Sequence, residues 1–447
     1  MMEKLLQYCW KHRILPAGEL RTTDGQPVEV IDTGLLNTDA GPDFFNARIR
    51  IGDRLLAGNV EIHVRRRDWY AHGHDRDAAY DNVILHVVDA KCNGLPQQDA
   101  TAEPRDEAVR TLSGNVLPEL QITVPEEIIQ NYQELLSVDS YPPCYKIVPK
   151  VTPLCMHSWM AALQAERLKQ KTDAIVEHVS RLKGDWEHAY FITLARSYGF
   201  GSNSDALEQW ARNMPMTSVA HHRDNLFQIE AFFFGQAGML NIATVRERLQ
   251  LETAADEYFQ RLQSEYEYLK HKFRLTDDHP PLWKYMRMRP QNFPTIRIAQ
   301  LARLYHERRT SLSQLVECDT IEKLSKMFQC GVSDYWQTHY TFGHESQPSA
   351  KQLSAASTNL LMINCAIPML FAYGRHTGSE ALCNKALDLL ESLPPENNNI
   401  TRMWQQVGLE SRSAGDTQAL IQLKKQYCDR KNCLQCRIGY EYMKLKS

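Results

Sequence analysis

The sequence predicts an α+β domain with a mixed central sheet and flanking helices, followed by a larger all-α domain. Alternating segments rich in β-branched residues are concentrated in the first third of the chain, as is typical of strands. Beyond the proline-rich stretch SVDSYPPCYKIVPKVTP, apolar residues recur every three to four positions, as in helices. The length of 447 residues also favours more than one hydrophobic core. We therefore expect the α+β domain at residues 1–145, the helical domain at 150–420 and a basic, cysteine-containing tail at 421–447.

The α+β domain is expected to begin with a short helix in the segment EKLLQYCWKHRIL. Pro16 and Gly18 follow this segment and are expected to end the helix. The apolar residues that fall at helical spacing are Leu5, Leu6, Cys9 and Trp10.

Four strands are predicted after this helix. Alternation of apolar and polar residues marks three of them, PVEVIDTGL, FFNARIRIG and LAGNVEIHVRR. A polar link, DWYAHGHDRDAAYD, then leads to NVILHVVDA, whose continuous apolar run is typical of a strand covered on both faces. The predicted order is helix, three strands, link and strand.

The second domain is predicted to be all-helical, because its segments each carry one apolar face. The clearest of them are SWMAALQAERLKQKTDAIVEHVSRLKG, DWEHAYFITLARSYGF, SDALEQWARNM, DNLFQIEAFFFGQAG, AADEYFQRLQSEYEYLKHKF and TIRIAQLARLYHERR.

Composition narrows the class of protein. Hydrophobic residues make up 43% of the chain and charged residues 23%, which is typical of globular proteins. We find no run of eighteen or more uncharged apolar residues, so we expect no membrane span and no signal core. Most of the eleven cysteines stand singly in apolar helical contexts, which favours a reducing, cytoplasmic location. The net charge of −3 gives no whole-chain indication of nucleic-acid binding.

Candidate catalytic residues lie on two neighbouring strands of the α+β domain. Asp43 stands at the start of one strand, and Glu61 and His63 stand on the next. Carboxylates on adjacent strands, which lie about 4.8 Å apart, can hold a divalent cation beside a scissile phosphate. The sequence therefore predicts a Mg²⁺ or Mn²⁺ site with Asp43 and Glu61 as ligands. Alternatively, Asp43 is a turn acid and Glu61 pairs with a nearby arginine.

Together with the order of elements, these residues resemble the PD-(D/E)XK nuclease fold, also called restriction-endonuclease-like. In that family the Asp and the Glu bind the metal, and a Lys two residues after the Glu orients the attacking water. His63 occupies the lysine position here, and a neutral imidazole can bind a metal or act as a base but supplies less fixed positive charge. Some members contribute a carboxylate from the first helix, and Glu19 is the residue that the resemblance suggests for that role.

Two functions remain open at this point. One is a metal-dependent nuclease or phosphodiesterase. The other is a catalytically inactive nucleic-acid-binding or scaffold protein of the same fold. Further residues could complete a site, namely His72, His74, Asp75 and His86, although the position of His86 within an apolar strand favours a core histidine.

Arginines are expected to hold a nucleic-acid backbone. In the α+β domain these are Arg48, Arg65 and Arg67. In the helical domain Arg287 and Arg289 precede the turn RPQNFP. The alternative is that these arginines pair with acids on neighbouring elements.

The tail contains Cys428, Cys433 and Cys436 in a C-x4-C-x2-C arrangement. A CxxC turn can bring two thiolates onto one zinc ion or iron–sulfur cluster. A fourth ligand would have to come from a distant part of the chain. Without one, the segment is a tight turn with reduced thiols.

The chain as a whole resembles a bacterial family named domain of unknown function 2851. The segments that carry this resemblance are NTDAGPDFFNARI, GNVEIHVRRRDWYAHGHDRDAAYDNVILHVV, RPQNFPTIRIAQLA and CLQCRIG. The family has no established activity, so the resemblance supports the domain layout and leaves the chemistry open.

Overall fold

The computed structural model describes residues 1–16, 18–93, 108–138, 142–244, 247–276, 280–309 and 311–445. The chain divides into two compact units. Unit 1 contains residues 1–156 and 425–447, and unit 2 contains residues 157–424. The cysteine tail therefore belongs to the same unit as the N-terminal sheet.

Unit 1 is built on a mixed sheet, which confirms the α+β prediction in its coarse form. The strand order is β1-β2-β4-β5-β6-β7, and β3 pairs with β4. Strands β2, β4 and β5 form an antiparallel meander, whereas β6 and β7 run parallel to β5. The bounds are β1 Leu20–Arg21, β2 Pro27–Asp32, β3 Leu35–Leu36, β4 Phe44–Ile51, β5 Arg54–His63, β6 Val83–Asp89 and β7 Glu119–Ile122.

The register of the parallel strands aligns polar residues across the sheet. Glu61 of β5 lies opposite His86 of β6, which in turn lies opposite Glu119 of β7. Gly58 lets β5 and β6 approach each other, because an added Cβ would lie 2.6 Å from the carbonyl oxygen of Asn82. Neighbouring residues in register share a face of the sheet, so the three polar side chains can form one network.

The helices of unit 1 that precede the boundary are α1 Met2–Lys11, α2 Asp68–Ala71, α3 Ala90–Asn93 and α4 Glu126–Ser137. Helix α1 buries the apolar face that the sequence predicts. Its Trp10 Nε1 donates a hydrogen bond to the carbonyl oxygen of Thr33, 3.0 Å away. The helix ends at Lys11, and Arg13 then adopts a left-handed conformation with φ 54°. Glu19 therefore lies outside the helix.

Unit 2 is helical, as predicted, and the six segments singled out in the sequence all contain helices. Its helices, of which the first begins just before the boundary, are α5 Pro153–Arg181, α6 Trp186–Tyr198, α7 Ser204–Arg212, α8 Met216–Ala220, α9 Leu226–Gln236, α10 Glu247–Ala255, α11 Glu257–Phe273, α12 Pro294–His306, α13 Leu312–Glu317, α14 Ile321–Phe328, α15 Asp334–Thr338, α16 Ala355–Leu361, α17 Ile367–Thr377, α18 Glu380–Ser392, α19 Asn399–Gln406 and α20 Ala414–Gln422.

Polar side chains begin several of these helices. Asp185, Asn225 and Asp256 each accept a hydrogen bond from a backbone N–H of the first turn of α6, α9 and α11. Such caps satisfy donors that have no partner within the helix.

Between α15 and α16 lies a small hairpin of β8 His339–Thr341 and β9 His344–Glu345. The last helix, α21 Arg437–Met443, returns to unit 1.

One helical stretch, Ala355–Thr377, is long and apolar enough to cross a membrane by length and composition alone. Of its most apolar window, 61% is buried inside the protein. Burial in a helical core accounts for the same composition, so the stretch is weak evidence for a membrane segment. The expectation of no membrane partner stays a prediction.

Candidate metal centre

The two carboxylates that the sequence predicts as ligands lie side by side in unit 1. Asp43 directly precedes β4, and its backbone N–H donates to Glu61 Oε2, 3.0 Å away. In return, the backbone N–H of Ile62 donates to Asp43 Oδ2, 3.1 Å away. Gln7 of α1 donates through Nε2 to Asp43 Oδ1 at 2.9 Å. Both oxygens of Asp43 thus accept hydrogen bonds from the protein.

The electrostatic environment of Asp43 disfavours its charge. Burial, followed by the nearby carboxylate of Glu61, raises the pKa of Asp43 to about 7. Hydrogen bonds from Gln7 and Ile62 act in the opposite direction. The carboxyl of Asp43 is therefore only partly ionised near neutral pH.

Three imidazoles converge beside Glu61. Glu61 Oε1 lies 3.4 Å from His63 Nε2 and 3.3 Å from His74 Nε2. His63 Nε2 also lies 3.2 Å from His72 Nδ1. Among the described residues, His63, His72 and His74 form a group whose candidate ligand atoms all lie within 4.8 Å of one another. Around a tetrahedral ion with metal–ligand distances of about 2.1 Å, neighbouring ligand atoms lie about 3.4 Å apart. The contact distances of 3.2, 3.3 and 3.4 Å given above therefore suit a tetrahedral ion.

The protonation states in the cluster also suit a metal. His63 is 1% exposed. Burial, followed by the neighbouring His86, His74 and His72, lowers its pKa to about 2. It is therefore neutral and retains a lone pair for coordination. The Nε2 atom of His74 is buried and makes no hydrogen bond to any described residue.

A chain of polar contacts begins at Nδ1 of His63, the ring nitrogen that does not face Glu61. Its Nδ1 lies 3.0 Å from Nε2 of His86, and Nδ1 of His86 lies 3.5 Å from Oε2 of Glu119. Arg66 donates to both carboxylate oxygens of Glu119, from Nε at 2.8 Å and from Nη2 at 2.7 Å. Burial raises the pKa of Glu119, but hydrogen bonds from His86 and Arg66 offset it and leave the pKa below its usual value. Such outer contacts orient metal-binding imidazoles.

The irregular link between β5 and β6 brings His72 and His74 to the sheet. Gly73 between them has φ 76°, a left-handed conformation that glycine adopts without steric cost. The ring of His74 stacks on Tyr80 at a centroid distance of 3.8 Å. The buried Trp69 lies edge-on to His74 at 5.4 Å. These aromatic contacts hold His74 against the sheet.

A carboxylate from the first helix does approach the cluster, but it is not Glu19. Glu19 pairs with Arg21 at 2.7 Å, and both side chains are largely exposed. Glu3 of α1 is the helix acid near the site. Burial raises its pKa, and the nearby His72 and Glu61 act on it in opposite directions. Glu3 lies in the first turn of α1, whereas Glu19 lies beyond the end of this helix.

The predicted phosphate-binding arginines differ in their surroundings. Arg48 pairs with Asp32 at 3.4 Å. Arg65 and Arg67 follow β5 directly, and their side chains are exposed without an ion pair to any described residue. Arg287 and Arg289 belong to unit 2 and are also exposed. Their binding of nucleic acid stays a prediction.

The tail cysteines gain a neighbour that the sequence did not identify. Cys433 and Cys436 flank a short turn, in which the backbone N–H of Cys436 donates to the carbonyl oxygen of Cys433 at 3.2 Å. Burial, together with the nearby thiols of Cys436 and Cys433, raises the pKa of Cys144 to about 12. Cys144 thus lies near Cys433 and Cys436 and is a candidate fourth ligand, although the four thiols do not form a group with ligand atoms within 4.8 Å of one another. A metal at these thiols stays a prediction.

Comparison with known proteins gives one finding. No curated protein and no solved structure matches the chain. The model of a family described as a protein of unknown function, DUF2851, matches residues 3–399, and the cysteine tail lies beyond this range. The chain thus belongs to the DUF2851 family.

Proposed function

We propose that this protein is a metal-dependent phosphodiesterase that acts on nucleic acid, with its ion held by Glu61, His63, His72 and His74. The observation that carries this proposal is a cluster of three imidazoles and one carboxylate. Glu61 Oε1 lies 3.4 Å from His63 Nε2 and 3.3 Å from His74 Nε2, and His72 Nδ1 lies 3.2 Å from His63 Nε2. Arg65 and Arg67, exposed directly after β5, supply positive charge for a phosphate backbone.

The types of ligand atom in the cluster indicate which metal ion would bind. Mg²⁺ prefers oxygen ligands, whereas imidazole suits zinc, iron and other transition metals. Of the two ions expected from the sequence, Mn²⁺ therefore fits better than Mg²⁺, and Zn²⁺ is a further candidate. A bound ion would polarise a phosphoryl oxygen and lower the pKa of a water molecule.

The protein's own residues have separate roles in this proposal. Glu61 and the imidazoles bind the ion, and Asp43 positions Glu61 through its backbone N–H. The chain through His86 and Glu119 orients His63. The order of helix, antiparallel meander, link and parallel strand supports the proposed PD-(D/E)XK relationship, with His63 in the lysine position and acting as a metal ligand.

The test is a cleavage assay on metal-stripped protein reloaded with Mn²⁺ or Zn²⁺, using plasmid DNA, single-stranded DNA and RNA. We expect the parent protein to cleave at least one of these, and Glu61→Gln and His74→Ala to fall to about one-hundredth of its rate. Glu29→Gln is the matched control, because Glu29 is an exposed carboxylate on the same sheet. Equal rates in the parent and both site variants would show that any cleavage is a contaminant.

One observation favours a second function, a catalytically inactive nucleic-acid-binding or scaffold protein. Three imidazoles and one carboxylate give four protein ligands, which would fill a tetrahedral ion and leave no open position, as in structural zinc sites. In that case the metal-loaded protein cleaves none of the substrates, metal removal lowers its melting temperature, and it still retards nucleic acid in a gel.

Two further assignments complete the proposal. The thiols of Cys144, Cys428, Cys433 and Cys436 are proposed to hold zinc or an iron–sulfur cluster. A reducing, cytoplasmic location is proposed because no disulfide joins the cysteines of the described chain.

A further inference from the structure

A cavity of about 300 Å³ in unit 2 is lined by three arginines, and none of the described residues that line it is acidic. Its walls come from the loop after α6, from the segment that precedes α12 and from α12 itself. The residues of interest here are Phe200, Arg287, Arg289, Asn292 and Arg297. The metal centre lies in unit 1, so this cavity is a separate feature.

Arg297 is a buried guanidinium without a carboxylate partner among the described residues. It is 5% exposed, and it donates through Nη2 to Asn292 Oδ1 at 2.6 Å and through Nη1 to Gln300 Oε1 at 2.8 Å. Its Nε is buried and has no hydrogen-bond partner in the described part of the chain. Both acceptors are neutral amide oxygens, so the positive charge is not compensated.

An uncompensated buried charge is costly, and proteins commonly retain one only where it has a role. The ring of Phe200 lies 4.6 Å from the guanidinium carbon of Arg297 and provides partial compensation through a cation–π contact. Burial lowers the pKa of Arg297 to about 10, so the group remains positively charged at neutral pH. The ligand that would compensate this charge is an anion.

The two other arginines add to this charge. Arg287 and Arg289 are exposed and make no ion pair with any described residue. Arg287 has φ 60°, a conformation that is uncommon for a residue with a side chain. The buried Asn203 fixes the adjacent loop, since its Nδ2 donates to the carbonyl oxygen of Lys284 and its Oδ1 accepts from Lys284 N–H, both at 2.9 Å.

We propose that this cavity binds a terminal phosphate group, the dianion of a phosphate monoester. The planar guanidinium group can donate two parallel hydrogen bonds to phosphate oxygens. Such charge-assisted hydrogen bonds are stronger than hydrogen bonds between neutral groups. Three positive charges, with no acid among the lining residues that the structure describes, favour a dianion over a monoanion. The phosphate can belong to a small organic molecule or to the 5′ end of a nucleic acid.

The test measures binding to the full-length protein by calorimetry, with inorganic phosphate and adenosine 5′-monophosphate as probes. We expect Arg287→Ser combined with Arg289→Ser to weaken both probes about tenfold or more. These arginines are exposed, so the double variant should fold. Arg297→Gln should abolish binding. Arg375→Ser is the matched control, because Arg375 is exposed on α17 and does not line the cavity.

Two oligonucleotides distinguish the sources of the phosphate. If an oligonucleotide with a 5′-phosphate displaces the nucleotide and its 5′-hydroxyl counterpart does not, the occupant is a nucleic-acid end. If neither displaces it, the occupant is a small phosphorylated molecule. Absence of binding of both probes, or equal binding to the parent and the double variant, would overturn the proposal and leave the proposed phosphodiesterase unaffected.

Discussion

The Nδ1 atom of His63 lies 3.0 Å from Nε2 of His86, so one buried imidazole orients another. When His86 directs its Nδ1–H toward Glu119, its Nε2 must accept, and His63 must donate from Nδ1. The Nε2 lone pair of His63 is then directed to the side occupied by Glu61 and His72. With His86 in this orientation, His63 holds the tautomer whose Nε2 can bind a metal.

Replacing His86 should weaken metal binding without removing a ligand. We expect His86→Ala to lower the affinity for Zn²⁺ or Mn²⁺ about 10- to 100-fold, because loss of an outer partner leaves the ligand's tautomer and orientation unfixed. Competition with a fluorescent chelator measures this. His157→Ala, an exposed histidine on α5, should leave the affinity unchanged. Identical affinities for His86→Ala and the parent would contradict the orienting role.

The pH dependence of stability should reveal the protonated carboxyl of Asp43. The pKa of Asp43 is raised from its ordinary value of 3.8 to about 7 in the folded protein. Its contribution to stability is therefore fully present below pH 4 and is lost as the pH rises through 7. In Asp43→Asn this loss does not occur. The melting temperature of the metal-free variant, relative to the parent, should therefore rise between pH 4.5 and 8.

Thermal unfolding followed by circular dichroism in a chelating buffer measures this difference. His63 titrates in the opposite sense: with its pKa lowered from 6.5 to about 2, its contribution is present above pH 6.5 and is lost toward acid. Because both proteins contain His63, subtraction removes its effect. A difference in melting temperature that is constant with pH would show that Asp43 is ionised throughout.

The pair of Arg66 and Glu119 should matter more to stability than a surface pair on the same sheet. Arg66→Ala leaves Glu119, whose side chain is 5% exposed, as a buried charge without its arginine, and we expect a loss of about 3 kcal/mol in the free energy of unfolding. Arg50→Ala breaks a pair in which both side chains are more than half exposed, and should cost about 0.5 kcal/mol or less. Urea unfolding compares the two, and equal losses would refute the distinction.

The tail thiols should act together if they hold a metal. We expect Cys433→Ser and Cys144→Ser each to reduce the bound zinc or iron, since both would supply ligands to one site. Elemental analysis of anaerobically purified protein measures the content, and Cys383→Ser in unit 2 is the control. Should Cys144→Ser retain the full metal content, Cys144 is not a ligand.

Much of the fold could be predicted from short-range patterns. Alternation placed Glu61 and His63 on one face of β5, and the apolar run of NVILHVV indicated the buried strand β6. Three- to four-residue periodicity identified the six helical segments of unit 2. The end of α1 was placed too late, because the left-handed Arg13 that stops the helix carries no sequence signal as clear as Pro16 or Gly18.

The sequence by itself determined which residue types could bind a metal and which strands hold two of them. Only the tertiary structure decided that His72 and His74 join His63, that Glu3 rather than Glu19 approaches the cluster, and that Cys144 lies beside the tail. Periodicity reports how one segment buries its own face. It contains no information about irregular links, or about which distant segments pack together, because those contacts depend on how the whole chain excludes water and pairs its buried polar groups.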